Sequence, residues 1–210
     1  MRSENGTRAI GPYPIQLPNL EPVSSVPIAF LLSAPRSGSS LLLRMLHAHP
    51  AIQGLAEPHL VRPLHRLSIQ HMESNLDRRE RSGRKRFFEQ LEDPNSAHIR
   101  ASRAYLNSIY GERFSAAPKG THLLVDKTPA NASAIPFIRT LFPQAPLIVL
   151  RRHPAAIGWS HARAFFGGNL EQAQQSRPIL REAIPPLATL IRDAPSQLIV
   201  VDYESLVQNP

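Results

Sequence analysis

Residues Ala29 to Pro50 read AFLLSAPRSGSSLLLRMLHAHP. Ile28 to Ser33 is a short apolar run bounded by Pro27 and Pro35, as expected of a buried strand. Arg36 to Ser40 is a turn of small polar residues around one glycine. From Ser39 to His49 the apolar residues Leu42, Met45 and Leu46 recur at helical spacing, with Pro50 beyond the end. Strand, glycine turn and helix together have the shape of a phosphate-binding loop. The Gly-Lys-Ser/Thr ending of nucleoside triphosphatases is missing.

Helix-initiating N–H groups point outward unpaired, and the helix dipole favours an anion there. Gly38 lets the backbone approach closely, Ser37, Ser39 and Ser40 add hydroxyls, and Arg36 adds a permanent charge. The same residues also suit an ordinary serine-rich helix cap.

The rest of the chain extends this pattern. His122–Val125, Leu147–Leu150 and Leu198–Val201 read as further strands. Ala132–Phe142, Ala155–Phe166, Ile179–Arg192 and Tyr203–Val207 read as helices, although Pro185 and Pro186 should break the third. Gln53–Pro63 reads as a loop. Residues 64–117 are charged and helical in pattern, so they are expected as a helical insertion beside the core. Residues 1–26 are expected as an extended arm. Four strands alternating with helices imply an α/β fold, a three-layer arrangement with a central parallel sheet and helices on both faces. Ligands of such sheets lie beyond the carboxyl ends of the strands.

Composition bounds the chemistry. The 210 residues are 42% apolar and 19% charged, which fits a globular domain with its own core. No apolar run is long enough for a transmembrane segment, and the N-terminus lacks the apolar stretch of a secretory signal. There is no cysteine, so thiol nucleophiles and zinc–thiolate sites are excluded, and a cytoplasmic location is expected. His47 and His49 are two apart on a helix, where side chains diverge, so no metal is expected. The net charge is +8, and half of it lies in Asp77 to Arg86, with six basic and two acidic residues. That run reads as a solvated helix face or loop, or as a patch for a polyanion. No aromatic residue interleaves it, so nucleic acid is not an expected partner.

Three further stretches could carry chemistry. In LIVLRRHPAAIGWSHARA, Arg152 ends a strand and Ser160 lies about 9 Å along the helix begun by Pro154. An arginine and a serine so placed can share a phosphate, or be a rim charge and a surface residue. In VDKTP, Lys127 sits just past a strand and can reach a leaving-group oxygen, or stand free in water. In GLAEPHL, Glu57 precedes Pro58, which biases it to an extended backbone. Its carboxylate could take a proton from an acceptor hydroxyl, as could His59, or either could be a structural loop residue.

Taken together these motifs resemble the sulfotransferase family that uses 3′-phosphoadenosine 5′-phosphosulfate (PAPS). PRSGSSLL, residues 35–42, resembles its loop for the 5′-phosphosulfate. RRHPAAIGWS, residues 151–160, resembles its 3′-phosphate motif, and VDYESLVQNP a late strand-to-helix stretch. PRSGSSLLLRMLHAHPAIQGLAEPHL and DKTPANASAIPFIRTLFPQAPLIVLRRHP resemble the branch that contains the tyrosylprotein sulfotransferases and many bacterial homologues.

The resemblance implies a P-loop-like domain over residues 27–210 with the family's C-terminal part missing. It implies PAPS as co-substrate without a metal, and a small-molecule or carrier-bound acceptor. Ser37, Gly38, Ser39, Ser40 and Arg36 would hold the 5′-phosphosulfate. Arg152 and Ser160 would hold the 3′-phosphate. Glu57 would be the base, with Arg36 and Lys127 stabilising the transferring group. Two other classes stay open: a P-loop-type phosphotransferase, and a non-catalytic module binding a polyanion.

Overall fold

The computed structural model describes residues 26–68, 77–176 and 179–209. All but the last residue of the expected N-terminal arm lies outside them. Five parallel strands form one sheet in the order β2-β3-β1-β4-β5. They are β1 (Ile28–Ser33), β2 (Ile52–Ala56), β3 (Leu123–Lys127), β4 (Leu147–Arg151) and β5 (Leu198–Asp202). The helices are α1 (Ser39–His47), α2 (Val61–Arg66), α3 (Arg78–Phe88), α4 (Pro94–Ser115), α5 (Ile135–Leu141), α6 (Pro154–Phe165), α7 (Leu170–Ser176), α8 (Ile179–Asp193) and α9 (Tyr203–Gln208). A 3₁₀ turn over Pro129–Ala134 precedes α5.

β1 is the central strand, and all six of its residues are buried. Its alternate side chains feed two cores, the pattern of a parallel strand covered on both faces. Phe30 and Leu32 join Leu124 and Val149 under Ile99 and Leu106 of α4, Phe137 and Leu141 of α5, and Leu187 and Leu190 of α8. Ala29 and Leu31 join Val125, Ile148 and Leu150 under Leu42 and Leu43 of α1. α4 therefore helps build the core of the sheet within the crossover from β2 to β3.

Two expectations are corrected. Part of the loop expected over Gln53–Pro63 is the edge strand β2, in register with β3 from Ile52↔Leu123 to Ala56↔Lys127, and α2 begins at Val61. The five-residue strand is only half-buried, and Gly54 interrupts its apolar alternation, which hides it in the sequence. That glycine lets α1 pack close, since a Cβ there would lie 3.0 Å from Leu43 Cδ1. The sheet thus has five strands where four were expected.

α8 forms the helix expected over residues 179–192 and continues through Pro185 and Pro186, although both favour a break. Its Ala183, Leu187 and Leu190 are buried at i, i+4 and i+7. Together the two buried leucines contribute about 3–6 kcal/mol, comparable with the combined penalty of about 6 kcal/mol for two interior prolines. The second correction is Glu57, whose backbone is left-handed (φ 54°) rather than extended. Its N–H still donates to the Lys127 carbonyl at 2.9 Å, so the ladder holds it there against the preference set by Pro58.

The basic run forms α3, which buries no residue and starts at a reciprocal capping box between Asp77 and Glu80. No helix among the described residues is long and apolar enough to cross a membrane.

Candidate functional site

In this strand order the chain leaves β1 toward one edge of the sheet and β4 toward the other. The crevice between their carboxyl ends is where such sheets bind ligands. The β1–α1 turn and the β4–α6 turn both open there.

The first turn is built by backbone conformation. Arg36 (φ 68°) and Gly38 (φ 95°) are both left-handed. Leu41 and Leu42 donate to the Gly38 carbonyl, while the N–H groups of Gly38, Ser39 and Ser40 find no backbone acceptor among the described residues. Ser37 is buried, and its Oγ has no partner. Three amides and a hydroxyl without a partner among the described residues, at a helix start, have the arrangement of an anion cradle. Only glycine fits at position 38, because a Cβ there would stand 2.3 Å from Tyr203 Cε2.

The second group centres on Lys127. Its Nζ is buried and donates to Glu57 Oε1 at 2.7 Å and to Ser40 Oγ at 3.3 Å. Parallel pairing makes this contact possible: β3 lies between β1 and β2, so Lys127 meets the start of α1 on one side and the end of β2 on the other. The lysine hydrogen bond holds the Glu57 carboxyl below its ordinary value, so Glu57 is ionised at neutral pH. His59 Nε2 lies 3.5 Å from the other carboxylate oxygen, so both candidate bases share this corner.

The third group joins the two turns. Arg36 Nε donates to Ser160 Oγ at 3.4 Å, and Arg152 Nη1 donates to the Arg36 carbonyl at 3.1 Å. Arg152 also stacks 4.2 Å above the Tyr203 ring, and its Nε is buried without a partner. The adjacent Arg151 points elsewhere and forms a two-point ion pair with Asp202, its neighbour across β4 and β5. One arginine of the pair ties the sheet edge together, which leaves the other for the crevice.

Three further features had weak signals. Tyr203 opens α9 and packs against both Gly38 and Arg152, a role that only the tertiary approach reveals. Asp126, fully buried beside Lys127, accepts from Tyr110 Oη at 2.5 Å and Thr128 Oγ1 at 2.7 Å. Burial pushes its carboxyl up, and the two donors partly offset that. An acid before Lys127 in an apolar strand was the available hint. Beside Glu57, an open cleft of about 420 Å³ runs between β2 and α4, bordered by Ala56, Pro58, Ile109 and Arg113.

His47 and His49 have structural duties: their Nδ1 atoms accept from the amides of Gly54 and Ala51. No cluster of three or more metal-ligating side chains occurs among the described residues.

A five-stranded parallel sheet covered by helices, with a glycine turn at its switch point, defines a P-loop-like α/β protein. The sulfotransferase family model matches residues 27–210, and the chain belongs to that family. The nodulation protein NoeE of Sinorhizobium fredii is 30% identical, across 88% of this chain and 42% of that protein. The chain therefore spans under half the length of that curated relative. The sulfotransferase domain of the Synechococcus PCC 7002 olefin synthase is 30% identical and superposes with a TM-score of 0.59, covering 94% of this chain and 73% of the domain. The sulfotransferase domain from the curacin biosynthetic pathway is 25% identical with a TM-score of 0.54, covering 89% and 70%.

Proposed function

We propose that the chain transfers a sulfuryl group from PAPS to a hydroxyl-bearing acceptor, with Glu57 as base and Arg36 and Lys127 as electrostatic stabilisers. One observation carries this reading: Lys127 Nζ links the candidate base, Glu57, to Ser40 of the anion cradle in a single hydrogen-bonded chain. Base, cation and anion site then meet where an in-line transfer needs them.

The donor supplies an activated sulfur–oxygen bond to a phosphate leaving group. The amides of Gly38, Ser39 and Ser40 and the hydroxyl of Ser37 hold its 5′-phosphate. The orphaned Ser37 Oγ and Arg152 Nε fit a ligand rich in acceptor oxygens. Arg152 and Ser160 hold the 3′-phosphate.

Glu57 accepts the hydroxyl proton as the acceptor oxygen bonds to sulfur. The bond from sulfur to the bridging phosphate oxygen breaks, and its electron pair leaves on that oxygen as adenosine 3′,5′-bisphosphate. Lys127 neutralises the charge gathering on the bridging oxygen. As the ammonium turns to that oxygen, Glu57 loses the interaction that depresses its basicity and becomes a better proton acceptor. Arg36, drawn across the crevice to Ser160, faces the sulfuryl oxygens.

The test is incubation of the chain with PAPS and a panel of alcohols, phenols, sugars and carrier-bound hydroxyacyl chains, with release of the bisphosphate measured. Calorimetry with the bisphosphate and with ATP accompanies it. Preference for the bisphosphate and acceptor-dependent release are expected. ATP binding more tightly than the bisphosphate would point instead to a phosphotransferase.

A further inference from the structure

We infer that the cleft beside Glu57 binds an acceptor with an apolar body and a carboxylate at the end away from its hydroxyl. This rests on the proposed sulfuryl transfer for the position of the hydroxyl, and on the cleft itself for the rest. The walls are apolar: Leu55, Ala56 and Pro58 come from the β2 side, and Ile109 from α4. Ile109 is 40% exposed, an apolar side chain left partly open to the cleft. Among the described residues one charged group, Arg113, borders the cleft. It is half-buried, and no ion pair or hydrogen bond holds its guanidinium among the described residues. A half-buried arginine without a protein anion, at the border of an apolar cleft, has its donors free for a ligand oxyanion.

The topology separates the two ends of the cleft. Tyr110 reaches Asp126, which is registered with Leu55 near the carboxyl end of β2. α4 leads into the start of β3, so it runs toward the amino edge of the sheet, and Arg113 lies one turn beyond Tyr110 in that direction. Ala56 and Pro58, which flank Glu57 at the carboxyl end of β2, also line the cleft. The strand from Gly54 to Glu57 spans about 10 Å. A ligand with its hydroxyl at Glu57 and its body along β2 would bring its far end to Arg113. A single arginine matches one carboxylate; a dianionic phosphate calls for more than one cation. Arg113 would thus set specificity without touching the reacting atoms.

The experiment is calorimetric titration of the chain with 8-hydroxyoctanoate, its methyl ester and 1,8-octanediol, with and without adenosine 3′,5′-bisphosphate. The acid should bind at least tenfold more tightly than the ester or diol. Arg113→Gln should abolish that preference while leaving diol affinity unchanged, and Arg113→Lys should restore part of it. Equal binding of the three ligands, a preference that survives Arg113→Gln, or no binding of any of them would overturn the inference. Failure of the bisphosphate to bind would count against the sulfuryl-transfer reading instead, and the acid–ester comparison without nucleotide would still be read.

Discussion

Lys127 Nζ stands 2.7 Å from Glu57 Oε1, although the two residues are 70 positions apart. The pair sits at the carboxyl ends of the adjacent strands β3 and β2, and Ser40 ties it to the anion cradle. Removing either member should separate binding from chemistry. Lys127→Ala and Glu57→Gln are expected to lower turnover by about 10²–10³, the usual cost of losing one positioned stabilising group. Bisphosphate affinity should stay within a few-fold of wild type by calorimetry. Full sulfation rates in both variants would remove the pair from catalysis.

The same contact sets a pH dependence. Lys127 lowers the Glu57 pKa from its ordinary 4.5. A carboxyl with a depressed native pKa contributes stability above its unfolded value and loses it as pH falls through the native value. In the nucleotide-free protein Glu57 should therefore titrate below 4.5, and Lys127→Met should move it upward. Carboxyl-carbon NMR titration of the two proteins reads the shift directly, and no upward movement would contradict this account.

The two consecutive arginines should behave differently. Arg152→Ala removes a cation that bonds the Arg36 carbonyl and stacks on Tyr203. Hydrogen bonds to charged groups are worth about 1.5–3 kcal/mol, so bisphosphate binding should weaken by about 10- to 100-fold. Arg151→Ala breaks a solvent-exposed pair with Asp202 and should change affinity little. Calorimetry on both variants tests the contrast.

Gly38→Ala should be destabilising on two counts. A side chain is strained at φ 95°, a cost of about 1–3 kcal/mol, and its Cβ would overlap the Tyr203 ring. Adding Tyr203→Ala relieves the overlap but not the backbone strain. The double variant should therefore recover only part of the lost melting temperature, as calorimetric scanning would register.

Tyr110→Phe withdraws a donor from the buried Asp126 carboxyl. A loss of about 1–3 kcal/mol in denaturant unfolding is expected. Burial raises the native pKa of Asp126 above 3.8, so stability declines as pH rises from that value toward the native one. The deficit of Tyr110→Phe should grow in the same direction, because the ionised carboxylate needs the donor more than the neutral acid does. A pH-independent deficit would argue against this role.

Much of the fold was legible because its central strands are largely buried and its turns are marked by glycine and proline. β1, β3 and β4 show as apolar runs for that reason. β2 did not, since a half-buried edge strand with glycine at its centre lacks both a continuous run and a clean alternation. α8 was read as a helix against its two prolines: the local penalties are visible in sequence, while the packing that offsets them is not. Asp126 and Tyr203 gave little warning, since an acid in a strand and a tyrosine at a helix start acquire meaning only from what approaches them.

Residue order alone determined the strand–turn–helix cradle, the α/β class and the short set of charged residues at strand ends, because local periodicity and helix-end chemistry are properties of neighbouring residues. Tertiary structure decided which of those charges meet. Strand order brings β3 between β1 and β2, so Lys127 reaches both Ser40 and Glu57. The pairing of β4 with β5 occupies Arg151 and leaves Arg152 facing the cradle. Contacts between residues 70 or 116 positions apart depend on sheet order, which no local pattern encodes.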